Sequence, residues 1–265
     1  MEFGKIFSDS WKEYKTNFKL YAKLIFYFIF LPSLLYLILN QLYLVSINYD
    51  IFTITEIEGI SVPIIKLSYL LTTMGISITI ALIGIIATLG IYASVLHNKK
   101  NFKKALKKGN QYYLKYILFM IVIGIFIFGL ALLFIIPALI FGIFWAFAIY
   151  ILIKEDKGII ESLKTSFNLV KGRWWLTFGY SVLFILITIG IGIIFSIPAM
   201  PTSIMVSMDS SANPTLYQYD SIPTTLAIVH TYISEIFSML SQFIILPLTI
   251  LFYKNFYLEM KKKRK

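Results

Sequence analysis

The chain has no cysteine, only two histidines and only 13 acidic residues among 265. Without thiols there can be neither disulfides nor thiolate metal sites, and cysteine usage says nothing of redox compartment. Two histidines, His97 and His230, do not assemble the usual transition-metal ligand sets. No glycine-rich phosphate loop, H-E-x-x-H pair or G-x-S-x-G elbow occurs. Charged residues make up 14% of the chain, against roughly a quarter in a soluble domain. With so little polar side chain, the surface cannot be covered for water.

Apolar residues are abundant. They reach 58%, with 23 Phe and 18 Tyr, and the mean hydropathy is +0.81. A helix needs about 20 apolar residues to cross a bilayer core of roughly 30 Å. Six runs qualify, approximately 20–45, 67–96, 112–136, 137–153, 174–197 and 226–253. The third and fourth abut at Ile136-Pro137, where proline suits the first turn of a new helix and a tight hairpin is expected. The fold class is therefore all-α, a polytopic bundle of six transmembrane helices. Residues 1–19 are polar and charged, so no cleavable signal peptide is expected there.

The basic residues are sorted. Twenty-three of the 24 Lys and Arg lie in the N-terminal segment, residues 97–115, residues 154–173 and the tail from Lys254. Segments 46–66 and 198–225 hold only Lys66, against Asp50, Glu56, Glu58, Asp209 and Asp220. The positive-inside rule then predicts a multi-pass protein of the cytoplasmic membrane with both termini cytoplasmic. The +11 net charge sits beside apolar runs rather than on a separate basic domain, so the expected anionic partner is lipid and not nucleic acid. An unidentified membrane protein partner is also compatible with this pattern.

Three of the basic segments share a helical period. Phe3, Phe7, Trp11, Tyr14 and Phe18 fall on one face of residues 3–19. Phe102, Leu106, Gly109, Tyr113 and Tyr116 do so in 101–116, and Ile160, Leu163, Phe167, Val170 and Trp174 in 159–175. Lysines occupy the other faces, which suits interfacial amphipathic helices lying at the cytoplasmic headgroups. Each would feed two spans, giving a single membrane domain over 1–265 with repeat units of approximately 1–97, 98–158 and 159–265. The echo of Phe134-Ile-Ile-Pro137-Ala138 in Phe195-Ser-Ile-Pro198-Ala199 supports a repeat. The competing reading is that any basic loop between spans looks amphipathic.

Small residues mark close helix contacts in membranes. Ala138, Gly142 and Ala146 form one stripe, and Thr73, Ser77, Ala81, Gly84 and Thr88 another. They seal the bundle or form a homodimer face. Pro32 and Pro247 are expected to free the carbonyls of Phe28 and Phe243 and kink their spans.

Few residues offer chemistry. Glu235 is the one acid inside an apolar run, where acids are costly and often functional. With Thr231, Ser234, Ser238, Ser241 and Gln242 it would make a polar stripe, and with His230 a candidate intramembrane polar site. Residues 236–253 alone are long enough to span, which would instead leave His230 and Glu235 at the outer interface. Lys103, Lys104, Lys107 and Lys108 are candidates for anionic-lipid contact at about 1 kcal/mol per charge, or serve topology alone. His97 is expected to be solvated at a span end. Glu155 and Asp156 are expected to start the third amphipathic helix. No catalytic residue, metal site or cofactor is expected.

One stretch has a recognisable order: Ile136-Pro137-Ala138, Glu155-Asp156-Lys157-Gly158, Ser162-Leu163-Lys164-Thr165-Ser166-Phe167 and Val170-Lys171-Gly172-Arg173-Trp174-Trp175. It resembles the glycerophosphoryl diester phosphodiesterase membrane-domain family and related six-span proteins, as does Ser10-Trp11-x-x-Tyr14-Lys15-x-Asn17-Phe18 near the start. The resemblance implies the architecture and a membrane role. It implies no activity, because that family's catalytic barrel is separate and six spans are expected to leave no room for it here. The function expected is a non-enzymatic membrane-organising, accessory or interaction component. The alternative is a small transporter or exporter of a lipid, peptide or small solute, with Glu235 coupling ions.

Overall fold

A computed structural model describes residues 2–47, 52–57, 60–212 and 225–263. It is almost entirely helical. In chain order the elements are α1 (Phe3–Ile25), a π-helical turn (Phe26–Phe30), α2 (Leu31–Ser46), β1 (Phe52–Ile57), β2 (Ile60–Ile65), α3 (Leu67–His97), α4 (Phe102–Asn110) and α5 (Tyr113–Leu133). Then come α6 (Ile135–Phe144), α7 (Ala148–Lys154), α8 (Ile159–Val170), α9 (Trp174–Ser196), a 3-10 turn (Ile197–Ala199), α10 (Met200–Ala212) and α11 (Thr225–Lys262).

Six helical stretches among the described residues are long and apolar enough to cross a membrane: Phe3–Ser46, Leu67–His97, Tyr113–Leu133, Ile135–Lys154, Trp174–Ser211 and Thr225–Lys262. Their side chains face outward to an extent that only lipid satisfies. Along α5 only Phe119 is buried, while Leu114, Ile125, Phe128, Leu132 and Leu133 are exposed.

Contacts divide the chain into two compact units. The first comprises Met1–Ile25, Ile85–Gly190 and Phe243–Lys265, and the second Phe26–Gly84 and Ile191–Gln242. Charge divides with them. The first holds 23 of the 24 basic residues and seven of the 13 acids, a formal net of +16; the second holds Lys66 and six acids, −5.

The first unit has an aromatic core of Tyr21, Phe147, Phe252, Phe256 and Tyr257. Phe147 meets Phe256 edge-on at 5.1 Å, and Tyr150 donates to the Ile250 carbonyl at 3.1 Å, so α7 is fixed to α11 by packing and by a buried hydrogen bond. The face of α1 that enters this core is Ile6, Ser10, Tyr14, Tyr21 and Leu24, whereas Trp11 and Phe18 remain exposed. The fully buried Ser10 hydroxyl donates to the Ile6 carbonyl and accepts from Asn255 at 3.0 Å, beside a Lys254–Glu13 ion pair. The aromatic stripe expected over residues 3–19 is thus divided: Phe3 packs on Phe252 and Tyr14 is buried, while Trp11 and Phe18 face outward. A small hydroxyl side chain allows α11 to approach where a ring would hold it off.

α4 and α8 are separate short helices, but shorter than expected from the sequence: Tyr113 and Tyr116 fall in α5, and Trp174 in α9. The N-terminal segment differs: it has no boundary of its own and runs into the first span as one 44-residue helical stretch. The helix break between the third and fourth spans falls at Phe134, which is extended (φ −160°, ψ 139°), with Pro137 in the first turn of α6. A second break, unexpected from sequence, interrupts the fourth span at Trp145–Phe147.

In the second unit, Pro32 sits at the second position of α2, directly after the π-helical turn. Proline offers no N–H to the Phe28 carbonyl, and the local widening to π geometry absorbs that loss. Tyr43 of α2 stacks on Tyr69 of α3 at 6.2 Å, and Ile29 lies 3.8 Å from a Cβ placed on Gly84. β1 and β2 pair antiparallel, Phe52 opposite Ile65 and Ile57 opposite Ile60, in a segment that sequence treats as a plain loop.

Candidate functional site

The break at Trp145–Phe147 leaves backbone groups of the fourth span without helical partners. Ser166 of α8 takes them up: its hydroxyl donates to the Phe144 carbonyl at 2.8 Å and accepts from the Phe147 N–H at 3.2 Å. One side chain splices the interrupted ladder. The Trp174 indole donates to the Ile140 carbonyl at 3.2 Å, and Phe144 packs on Phe167 at 4.3 Å.

Beside this splice lies a cleft of about 330 Å³ lined by Phe126, Trp145, Ile160, Leu163, Lys164, Phe167 and Asn168. Phe126 meets Trp145 edge-on at 5.9 Å, closing one wall. Apolar walls with a few polar groups are the usual character of a small-molecule or lipid site. Lys164 and Asn168 are exposed at the cleft and neither has a hydrogen-bond or ion-pair partner among the described residues.

The turn between α7 and α8 is held by ionic contacts. Glu155 accepts from the Tyr257 hydroxyl and from Lys261 at 2.6 Å, with Lys157 3.5 Å away. Burial pushes the Glu155 carboxyl up, but hydrogen bonds from Lys261 and Tyr257 and the charges of Lys261 and Lys157 outweigh it and hold the group below its ordinary range. Asp156, in the left-handed region at φ 52°, accepts from Lys115 at 2.8 Å; that hydrogen bond and charge lower its pKa. Arg173 donates to the carbonyls of Met260 and Lys263, capping the C-terminal end of α11. The expectation that Glu155 and Asp156 start α8 is corrected. Gly158 is the N-cap, without a side-chain bond, and both acids are drawn away by lysines of α5 and α11.

α4 carries the lysines singled out from sequence. Asn101 caps it, accepting from the Lys104 N–H. Lys103, Lys104 and Lys107 are exposed, while Lys108 donates to Gln111 at 3.0 Å and sits 5.0 Å over the Tyr112 ring. On the opposite face Ala105 and Gly109 are buried, and Gly109 meets the backbone of Leu89 in α3. Gly109, placed by sequence on a lipid-directed face, instead touches protein backbone. His97 is also corrected: it is half-buried, its Nε2 lies 3.1 Å from the Ile153 carbonyl, and its ring stacks on Tyr112 at 5.9 Å.

In the second unit His230 pairs with Thr202, Nδ1 to Oγ1 at 2.9 Å, and not with Glu235. Glu235 is exposed. A space of about 220 Å³ nearby is lined by Gly192, Phe195, Ser196, Ala199, Ser234, Ser238 and Ser241, so part of the expected polar stripe lines a cavity while its acid lies off the wall. Ser234, Ser241 and Ser196 donate to carbonyls of their own helices, which leaves little free donor capacity there. No group of three or more potential metal ligands occurs among the described residues.

A family model described as a domain of unknown function (DUF7847) matches residues 22–258. No curated protein and no solved structure matches the chain.

Proposed function

We propose that this chain, which belongs to the DUF7847 family, is a non-enzymatic membrane-organising or accessory protein that holds anionic lipid at the cytoplasmic face of the cell membrane. The observation that carries this reading is the division of charge, +16 in one unit and −5 in the other. By the positive-inside rule the basic segments, and with them both termini, lie in the cytoplasm. α4 then presents Lys103, Lys104 and Lys107 to the headgroups from a helix seated on α3 through Gly109. Amphipathic α4 and α8 act as interfacial helices in this reading. The relation to the glycerophosphoryl diester phosphodiesterase membrane-domain family is proposed for architecture alone.

Transport driven through Glu235 is the rival, and it wants that carboxylate on a cavity wall. Its exposed position off the serine-lined space supports the accessory reading instead. Thermal unfolding of detergent-purified protein tests the proposal. Added phosphatidylglycerol is expected to raise the midpoint more than phosphatidylcholine does, with the difference shrinking as salt rises. Equal shifts at all salt concentrations, or sustained solute uptake by proteoliposomes, would overturn it.

A further inference from the structure

The cleft beside α8 differs from the ion-paired lysines around the α7–α8 turn in one respect. Lys157 is paired with Glu155 and Glu161, Lys115 with Asp156 and Lys261 with Glu155, yet Lys164 is unpaired among the described residues and opens onto an apolar space. Glu161, the acid of α8, is engaged by Lys157 at 3.3 Å rather than by Lys164. Asn168 is one helical turn from Lys164, on the same side of α8, and is likewise unpartnered among the described residues.

We propose that this cleft is a binding site for one anionic phospholipid. An acyl chain lies along Phe126, Trp145 and Phe167, and the phosphate is held by the Lys164 ammonium and the Asn168 amide. The inference rests on the lipid-holding function above and deepens it by naming a site distinct from the α4 lysines. Charge complementarity decides the occupant. A neutral chain would leave Lys164 without a counter-charge at an apolar wall, whereas a phosphodiester supplies that charge and acceptors for both donors. The splice at Ser166 gives the site its shape, because the interruption of the fourth span places Trp145 beside Phe126 as a wall.

The natural reporter is Trp145. The full chain carrying Trp11→Phe, Trp174→Phe and Trp175→Phe keeps Trp145 as its one indole, since the protein has four tryptophans. It is reconstituted in phosphatidylcholine vesicles containing phosphatidylglycerol, with bromine on the acyl chains of one lipid or the other. Trp145 is expected to be quenched with about a fivefold preference for the brominated phosphatidylglycerol, the equivalent of about one basic charge near an anionic surface. Lys164→Gln is expected to abolish the preference. The combined Lys103→Gln, Lys104→Gln, Lys107→Gln and Lys108→Gln variant is expected to leave it.

Equal quenching by both lipids, or a preference that survives Lys164→Gln, overturns the site, as does a Trp145 shielded from both by a bound protein segment. If the preference at Trp145 fails while whole-protein selectivity for phosphatidylglycerol persists, the cleft is wrong and the lipid-holding function stands. If both fail, both are wrong. Should the single-tryptophan variant not fold, the difference in quenching between wild type and Trp145→Phe gives the same readout.

Discussion

Gly109 of α4 lies directly against the backbone of Leu89 in α3: a Cβ built on it would sit 2.7 Å from both the carbonyl carbon and the oxygen of Leu89. Backbone cannot swing aside as a side chain can, so α4 would have to lift. Gly109→Ala is expected to lower stability by about 1–3 kcal/mol, the usual range for overpacking. Gly124→Ala, in open space on α5, is expected to be neutral or slightly stabilising through helix propensity. Denaturation of the two variants in the same detergent checks the contrast, and equal behaviour would remove the close approach.

Two buried serines on α8 give a second contrast. Ser166 satisfies a donor and an acceptor at the break, while the Ser162 hydroxyl is buried without a partner among the described residues. Ser166→Ala is expected to cost about 1–3 kcal/mol, because the Phe144 carbonyl and Phe147 N–H would be left unmet. Ser162→Ala is expected to be neutral. Thermal unfolding midpoints measure both, and a neutral Ser166→Ala would show that water or the backbone replaces the hydroxyl.

How much of this was legible in the sequence depends on whether the cause is local. The six spans follow from run length, and the break near Pro137 and the π-helical turn before Pro32 follow from proline's missing N–H. The break at Trp145–Phe147 has no glycine or proline to announce it. The side chain that meets its free groups, Ser166, lies some twenty residues away, so only the packed structure reveals how the break is held. The buried face of α1 is only partly legible, because periodic aromatics do not distinguish lipid from protein and Ser10 is small enough to admit another helix. The β1–β2 hairpin has a local signal in runs rich in β-branched residues over 51–57 and 60–65.

The candidate site was legible only in part. Lys164 belongs to the wet face expected of the third amphipathic helix, but its lack of a partner among the described residues and its place beside Trp145 are tertiary facts. Glu235 is a lone acid in an apolar run, and sequence alone leaves its side of the helix open.

The acids of the α7–α8 turn set a pH dependence. Both carboxyl groups are held below their ordinary values, so their contribution is complete above about pH 4 and is lost as pH falls through the folded values. Stability measured by thermal unfolding is expected to be insensitive to these groups near neutrality and to drop below about pH 4. Glu155→Gln is expected to flatten that drop. Asp156→Asn is expected to matter less, within about 1 kcal/mol, because the Asp156 side chain is 72% exposed and its pair is screened. A pH profile of Glu155→Gln identical to wild type would contradict this.

The absence of cysteine makes topology directly testable. Single substitutions Lys107→Cys on α4 and Ser207→Cys on α10 introduce one thiol each. In intact cells a membrane-impermeant maleimide is expected to label Ser207→Cys and to reach Lys107→Cys only after permeabilisation. The opposite pattern would invert the orientation drawn from the charge division.

The most direct test is native mass spectrometry of the full chain released from nanodiscs of mixed phosphatidylglycerol and phosphatidylcholine. The expected result is preferential retention of phosphatidylglycerol, reduced when Lys103, Lys104, Lys107 and Lys108 are replaced together by Gln. Retention of the two lipids in proportion to their abundance, in wild type and variant alike, would contradict a protein built to hold anionic lipid.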